Sequence, residues 1–599
     1  MKRFAYIIVL LLFVLNVSAQ EESIEIQEVI VEEAVVEEPP MQKTLVQDVN
    51  IVRDFVPTIK DAGKINLLPR IESTATIEKS SAIYSTWTAP MATRFDLQTL
   101  PSATLKRMRH QQNMREGYAK IGGGYPATFL GDFYVPVLKG KDYRFDFLAN
   151  HLSTFGKVKL DDDSKVKAEN MLNMGQLAFT KNFFNADLTS EVKFARRDFN
   201  YYGLNEIDFY RLDPFTPANF PRLEKDAHNM LDVNIGFASR PKAKGLNYGV
   251  SAGYELTGTK SGVMEHHIAT EGFVTANWDI DEVGAYISLD NLFYNNPEPT
   301  NLLFNNIVDE FDSYSVLAFN PFYKFRRDAW NLKIGLKSFF SFNKGKPVSI
   351  TPDVLGELAI VNEIFYLYGG VTGDYAVNSM RDIFNENQYF RPDAHVPQTY
   401  TPIDAYIGTK FKVFDAMVFN AFVGYKYINN QYFFVNHRPA YLVESAVIAD
   451  VLCDNTFIAV TDKADVFNVG ASITYNSRAW NVFLKGIYNN WNVKNQEYAW
   501  HKPNWQVNAN IGYKINNDIK ISANMLAMGK RYARTFDMNE PVAVELKPIF
   551  DLSLSGTYEY TSWVSFFLNL NNVFAQNYQI WYGYNSHRFN AMAGATFSF

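Results

Sequence analysis

The feature that most constrains the fold is a two-residue alternation of apolar and polar side chains that recurs from Gly117 to the C-terminus. The last strand-like segment, Phe589 to Phe599, has only Phe and Ala at its odd positions and mostly polar or small residues at its even positions. Side chains alternate across a strand, so such a segment is a strand with one apolar face. The same alternation runs through Tyr143 to Asn150, Ile519 to Met528 and Phe550 to Tyr560, with charged or hydroxyl side chains on the second face.

Short turns and longer connections alternate between these segments, which predicts how many strands the chain contains. The short turns are residues 139–142, 181–185, 241–246, 279–283, 326–330, 361–364, 413–416, 476–480, 516–518 and 560–563. With the longer connections between the strand pairs they predict about 22 antiparallel strands, an even number as single-chain outer-membrane barrels require. The first strand, Gly117 to Tyr125, must then pair with the last.

Composition decides between a soluble sheet and a barrel in a membrane. Charged residues make up 20%, aromatic residues 15%, and the mean hydropathy is −0.18, which excludes a bundle of transmembrane helices. A soluble domain of this length would contain continuous apolar runs and would divide into smaller domains. Uniform alternation instead predicts an all-β transmembrane barrel with its apolar face toward outer-membrane lipid and its polar face toward a lumen. The short turns are then periplasmic and the long loops, which are rich in aromatic residues, are external.

The N-terminal part of the chain divides into three segments. Residues 1–19 have the charged start, apolar run and Val-Ser-Ala end of a secretion signal, which predicts export. Residues 20–40 form an acidic tail, residues 41–115 an irregular extension interrupted by prolines, and residues 116–599 the barrel. Cys453 is the single cysteine, so the chain has no internal disulfide.

The acidic tail has two interpretations. A short charged segment is usually solvated and disordered. Alternatively, the run Glu28, Val29, Ile30, Val31, Glu32 is a strand-forming peptide that pairs with the sheet edge of a partner. This run resembles the TonB box of TonB-dependent receptors, and the resemblance implies TonB as a partner.

The resemblance to that class extends over most of the chain. Asp54 to Ile65 with Leu68-Pro69, Tyr118 to Tyr125, Trp500 to Pro503, and Asn571-Asn572 onward to Phe599 resemble a group of Bacteroidetes outer-membrane barrels related to TonB-dependent receptors. Such receptors carry a folded plug of well over a hundred residues, whereas only residues 41–115 are available here. The resemblance therefore implies a receptor-type barrel with a shortened extension, which could fill the lumen.

The C-terminal residues Gly594, Phe597 and Phe599 resemble the signal that the outer-membrane assembly machinery recognises, which implies a role in biogenesis. No catalytic, cofactor-binding or metal-binding constellation is apparent in the sequence. His266 and His267 point to opposite faces of a strand, and Asp161 to Asp163 read as a solvated loop tip rather than a calcium loop. The run Gly122 to Gly124 is followed by neither a helix nor the Lys-Ser or Lys-Thr pair of a phosphate loop. It is interpreted as flexible backbone at a strand end or bend.

These observations predict a non-enzymatic protein of the Gram-negative outer membrane that has no cofactor and does not bind nucleic acid. Transport of a ligand across the membrane is the first hypothesis. The alternative is a structural or assembly component, without a plug, that binds surface or periplasmic proteins. A passive porin is a third hypothesis, and it requires an open lumen.

Overall fold

The computed structural model describes residues 115–599 except 162, 204–224, 242–244, 261, 296–310, 438–454 and 538–539. The secretion signal, the acidic tail with Glu28 to Glu32, and the extension up to residue 114 lie outside the described residues. No helix in the described part of the chain combines the length and apolarity that crossing a membrane requires.

The described elements are 24 strands and one short helix. The strands of the first half are β1 (Tyr118–Tyr125), β2 (Thr128–Lys139), β3 (Tyr143–Lys159), β4 (Lys165–Asn182), β5 (Ala186–Asn200), β6 (Lys225–Ser239), β7 (Gly245–Thr259), β8 (Met264–Trp278), β9 (Asp281–Asn295), β10 (Tyr314–Arg326), β11 (Trp330–Phe342) and β12 (Val348–Val361). The second half contains β13 (Phe365–Ala376), α1 (Met380–Glu386), β14 (Thr399–Phe414), β15 (Met417–Asn436), β16 (Phe457–Asn476), β17 (Trp480–Val493), β18 (Trp505–Lys514), β19 (Ile519–Met528), β20 (Arg531–Asp537), β21 (Glu540–Leu546), β22 (Ile549–Thr561), β23 (Val564–Asn571) and β24 (Asn590–Ser598).

Twenty-two of these strands form one closed antiparallel barrel. Each strand pairs with its neighbours in the chain, except that β19 pairs with β22 because β20 and β21 form a separate hairpin between them. The closing pair is β1 with β24, in a register from Tyr118 opposite Ser598 to Tyr125 opposite Ala591. The predicted strand number, the closing pair and all of the short turns are therefore confirmed.

The two ends of the barrel differ. The short turns lie at one end together with Arg115 and Phe599, and we call this the turn end. The longer connections lie at the other end, which we call the loop end.

The outer and lumen surfaces of the wall also differ. On the outer surface of β22, Phe550, Leu554 and Tyr558 are 43%, 38% and 46% exposed, as expected of a face in contact with lipid. On the lumen side, charges pair across strands: Lys333 lies 2.6 Å from Asp353, and Lys426 lies 2.7 Å from Asp404.

Glycines let the barrel close with an aromatic ring on its lumen side. Gly122 of β1 and Gly594 of β24 are opposite each other, and a Cβ on either would lie 2.8 Å or 2.6 Å from the ring of Phe567. The Lys120 ammonium lies 4.3 Å from the centre of that ring. Gly122 to Gly124 lie at the end of β1, as one of the two predicted alternatives has it, but in regular pairing rather than at a bend. A Cβ on Gly122 or Gly124 would clash with Phe567 or with β24.

Candidate functional site

A short helix lies in the loop between β13 and β14 at the loop end of the barrel. The Ser379 hydroxyl accepts a hydrogen bond from the Asp382 N–H at 3.2 Å, which satisfies a free donor of the first turn. Met380, Ile383 and Phe384 are spaced to lie on one face of α1, and all three are buried. The local sequence therefore both starts the helix and gives it an apolar face that must be covered.

Charged contacts hold α1 to the lumen wall. The Met380 N–H donates to both carboxylate oxygens of Glu265 on β8, at 2.9 and 3.0 Å. Arg381 forms an ion pair with Asp232 on β6, and its Nε lies 3.6 Å from the Glu255 carboxylate on β7. Three adjacent strands thus position the helix.

The apolar face of α1 packs into a hydrophobic core at the loop end, here called the mouth cluster. Its buried members are Phe199, Tyr201, Val263, Phe311, Met380, Ile383, Phe384, Tyr389, Phe390, Ala394, Val396, Tyr432, Phe434, Phe457 and Tyr584. The rings make close contacts: Tyr389 stacks on Tyr584 with centroids 3.6 Å apart, and Phe384 stacks on His228 at 4.1 Å. These residues come from several loops and strands, so the mouth cluster forms only once the barrel has closed.

The mouth cluster bridges the lumen. Strands β5 and β15 are ten strands apart in a ring of 22, which places them nearly opposite each other. A ring of this size is roughly 40 Å across, given the spacing of paired strands and their tilt. Yet the Asn455 amide, which follows the loop after β15, donates to the Tyr201 carbonyl after β5 at 2.9 Å. Loops from opposite walls therefore meet over the lumen.

The end of β15 is buried on both faces, unlike an ordinary barrel rim. Tyr432 and Phe434 of β15 belong to the mouth cluster, whereas Phe433 and Val435 pack against Trp500 in a second core. The pairing of β15 with β16 shifts between Ile428 and Gln431, as a bulge does, and a bulge bends a strand. The bent ribbon supplies one side of the cover over the lumen.

The loop between β23 and β24, residues 572–589, supplies the centre of that cover. The fully buried Arg531 guanidinium of β20 donates to the carbonyls of Ile580 and Gln579 at 2.9 and 2.6 Å. The Asn585 amide donates to the Lys159 carbonyl at 2.8 Å and to the Asp161 carboxylate at 3.0 Å. This loop therefore holds Tyr584 in the mouth cluster from two sides, and we call the whole assembly of loops the cap.

His501 and Glu386 are among the ionisable groups of the cap that have displaced pKa values. Burial lowers the pKa of His501 to about 3, assisted by the neighbouring charges of Arg531 and Lys502. Its ring bonds the Phe434 carbonyl at 2.9 Å through Nδ1 and accepts from the Tyr582 N–H at 3.3 Å through Nε2. Burial of Glu386 opposes ionisation, but Lys502, 2.9 Å away, and the Tyr432 hydroxyl outweigh it and lower the pKa of Glu386. The cap is thus built around a neutral histidine and an ionised glutamate.

Within the described residues, the space beside α1 is small. A cavity of about 10 Å³ lies between Glu265, Tyr294 and α1. That volume holds about one water molecule. Among the same residues, no group of three or more His, Cys, Asp or Glu side chains is placed to hold a metal ion.

The residues singled out from the sequence lie in several places. His267 faces the lumen and bonds Asp290 at 2.9 Å, whereas His266 bonds the Tyr254 hydroxyl at 2.8 Å on the outer side, so the prediction of opposite faces is confirmed. Asp161 and Asp163 are exposed in the loop between β3 and β4, as predicted for a solvated loop tip, and Asp161 in addition accepts hydrogen bonds from Gln579 and Asn585 of the cap. Asp162 lies outside the described residues.

The C-terminal residues have clear positions. Phe597 and Phe599 point outward, and the backbone of Phe599 exchanges hydrogen bonds of 3.0 and 2.9 Å with Gly117. Their part in assembly stays a prediction, as does that of Gly594.

Sequence reasoning missed the residues that form the cap, above all Glu265, Arg531 and Tyr584. The density of aromatic residues in the long external loops was the available signal, since so many apolar rings favour burial over exposure to water. It could not show which loops meet, because their contacts join residues hundreds of positions apart, such as Tyr201 and Asn455.

Solved structures with the same fold are large outer-membrane receptors. Pyoverdine-bound FpvA of Pseudomonas aeruginosa matches with a TM-score of 0.59 at 12% identity, over 81% of this chain and 72% of that one. The ferric enterobactin receptor PfeA of the same organism matches with a TM-score of 0.57 at 11% identity, over 81% and 80%. The ferric-catecholate import receptor Fiu of E. coli matches with a TM-score of 0.57 at 12% identity, over 81% and 82%.

The likeness to these receptors establishes the fold. The sequence matches no protein-family model and no curated protein. The class that fold and site define is therefore a closed 22-stranded antiparallel barrel, covered at its loop end by its own loops.

Proposed function

We propose that the protein is a non-enzymatic barrel of the outer membrane of a Gram-negative bacterium and takes up a ligand through a cap that opens and closes. In this orientation the cap faces the outside of the cell and the turn end faces the periplasm. Among the solved structures with this fold, Fiu is described as a ferric-catecholate import receptor and PfeA as a ferric enterobactin receptor. The ligand of this chain is of a size that general porins exclude.

The observation that carries this proposal is how α1 is held to the wall. The helix is fixed by Glu265, Asp232 and Glu255, which are charged groups facing the lumen, as well as by apolar packing. Ion pairs that become exposed exchange their partners for water, so opening at these contacts costs less than separating an equally large apolar face. A cover anchored in this way closes the lumen between uptake events.

Growth measurements test uptake. A strain without the gene is complemented with the wild type or with a chain that lacks residues 20–40, and growth is measured on iron chelates, oligosaccharides and peptides in limiting supply. Uptake driven through the tail predicts one nutrient on which both the deletion strain and the shortened chain fail. Equal growth of all strains on every nutrient contradicts uptake.

One observation favours an assembly component as a second function. Among the described residues the cap encloses room for about one water molecule beside α1, so it offers no preformed site there for a ligand. An assembly component uses the cap as a fixed surface for protein partners. Purification in mild detergent followed by mass spectrometry distinguishes the two functions, because only the assembly component co-purifies with a partner in fixed stoichiometry.

A further inference from the structure

Lysines are concentrated on the outer face of the hairpin that β3 and β4 form at the loop end of the barrel. They make up two directly opposite pairs, Lys157 with Lys167 and Lys159 with Lys165. Val158, which alternates with them and faces the other way, is buried. The hairpin therefore presents four ammonium groups away from the lumen, and we call these four residues the lysine patch.

The charge of the lysine patch is only partly balanced by the described residues. Lys159 pairs with Asp163 at 2.5 Å, but the other three lysines of the patch form no ion pair within the described part of the chain. Glu169, the next residue of β4 on this face after Lys167, pairs instead with Lys225 of β6 at 2.7 Å. Like charges directly opposite each other on a sheet cost stability. An anion bound between the opposing lysines removes that cost.

A nearby hairpin shows that the rim of the wall does not require lysines. On β7 and β8, the outer face at the loop end consists of Leu256 opposite His266 and Gly258 opposite Met264. None of these four residues is a lysine or an arginine. The lysine patch is thus a local feature of the β3–β4 hairpin and not a property that the fold imposes.

The lysine patch continues the apolar outer surface of the wall. Phe155, two residues before Lys157 on the same face of β3, is 48% exposed, as is Phe194 on β5. From Tyr143 to Phe155 the outer face of β3 rises by about 30 Å along the barrel axis, given the length and tilt of such strands. The apolar band of an outer-membrane barrel is about 25 Å tall, so the lysines lie just beyond such a band. A lipid whose chains lie against Phe155 and Phe194 carries its headgroup to the level of the patch.

We propose that the lysine patch binds the phosphate of a lipid headgroup in the surrounding membrane. Lysine binds phosphate as a point charge without a fixed geometry, which suits four flexible side chains around one headgroup. The occupant is a lipid and not a soluble phosphate, because the patch adjoins an exposed apolar surface that lipid chains cover. This inference rests on the membrane location given under the proposed function, but it does not depend on whether the barrel takes up a ligand.

Counting bound lipids by native mass spectrometry tests the proposal. The full mature chain is purified in an uncharged detergent and mixed with phosphatidic acid or with diacylglycerol, which has the same chains without the phosphate. The test variant combines Lys157→Gln, Lys165→Gln and Lys167→Gln. The matched control makes the same change of charge at the turn end, with Lys141→Gln, Lys514→Gln and Lys520→Gln.

Headgroup binding predicts that the test variant binds phosphatidic acid at least about tenfold more weakly than the wild type. The control should bind like the wild type, and the difference should disappear in about 0.5 M salt. Replacing the same three lysines of the patch by arginine should retain binding. Equal affinities of the wild type and the test variant overturn the proposal, as does equal binding of diacylglycerol and phosphatidic acid by the wild type.

Further measurements separate the possible failures. Heat-modifiable migration on a gel verifies that each variant has folded. A wild type that does not float with phosphatidylcholine vesicles contradicts the proposed membrane location, whereas a floating chain whose lysines do not affect lipid binding contradicts this inference alone. If glycerol 3-phosphate or a polyglutamate peptide binds the wild type as tightly as phosphatidic acid does, the patch is a site for soluble phosphate or for an acidic protein, and the proposal is wrong.

Discussion

Glu265 on the barrel wall accepts two hydrogen bonds, at 2.9 and 3.0 Å, from the backbone N–H of Met380 at the start of α1. The Glu265 side chain is 1% exposed, so water solvates its carboxylate only weakly. This contact joins the wall to the cap.

Replacing Glu265 therefore loosens the helix while leaving the barrel closed. Glu265→Ala leaves the Met380 N–H without a partner, at a cost of about 1–3 kcal/mol for a buried donor. We expect faster amide hydrogen exchange in residues 380–386 and unchanged heat-modifiable migration. Glu271→Gln, on the same strand and also facing the lumen, is the control. Unchanged exchange in α1 after Glu265→Ala would show that the helix is held without this contact.

The barrel closure depends on Gly594. A Cβ at this position would lie 2.6 Å from the Phe567 ring and 2.7 Å from Gly122 Cα, so Gly594→Val cannot be accommodated without separating β1 from β24. Overpacking of this kind costs about 1–3 kcal/mol or more. We expect loss of the folded, heat-modifiable form on a gel. Gly556→Ala on β22, where a Cβ meets nothing within 4 Å, should fold normally; equal yields of both variants would contradict the packing argument.

Tyr584 connects the centre of the cap to its surroundings. Its ring stacks on Tyr389 at 3.6 Å, and its hydroxyl donates to the Asn455 carbonyl. Tyr584→Ala removes both contacts and should destabilise the cap by about 3–5 kcal/mol, as large-to-small changes of buried aromatics do. Limited proteolysis of the loops should then be faster. Tyr584→Phe, which keeps the stack, separates the two contributions and should show a smaller increase.

The cap should loosen in acid because His501 is neutral when buried. Its pKa falls to about 3 in the folded cap, against an ordinary value near 6.5, so the opened form binds a proton more readily between these values. Stability is therefore full above about pH 6.5 and decreases as the pH falls toward 3. At pH 5 the loss from this group is about 2 kcal/mol.

Fluorescence of Trp581, whose ring centre lies 5.1 Å from that of His501, measures this loosening. The groups that face His501 are Arg531, Lys502 and the Phe434 carbonyl. His437, whose pKa is also lowered to about 3 by burial, contributes in the same direction. His501→Gln should therefore reduce the change between pH 7 and pH 5 without abolishing it, whereas His266→Gln should leave it intact. A wild-type signal that does not vary with pH would contradict the assignment.

Alternation along the chain was sufficient to predict the wall of the barrel. Each wall strand has one apolar outer face and one face toward the lumen, so its sequence repeats every two residues whatever its neighbours are. The same rule predicted the number of strands, the positions of the short turns and the pairing of β1 with β24. It did not predict the β20–β21 hairpin, which forms a separate sheet and is not one of the 22 strands of the wall.

Which residues form the cap follows only from the tertiary structure. Its residues have no shared periodicity, and Tyr201, Asn455 and Tyr584 become neighbours because a closed ring brings distant loops over one opening. The sequence by itself determined the ring, since the apolar outer face and the polar lumen face of each wall strand leave a two-residue pattern along the chain. What covers the ring depends on contacts between opposite walls, and such contacts exist only after the ring has closed.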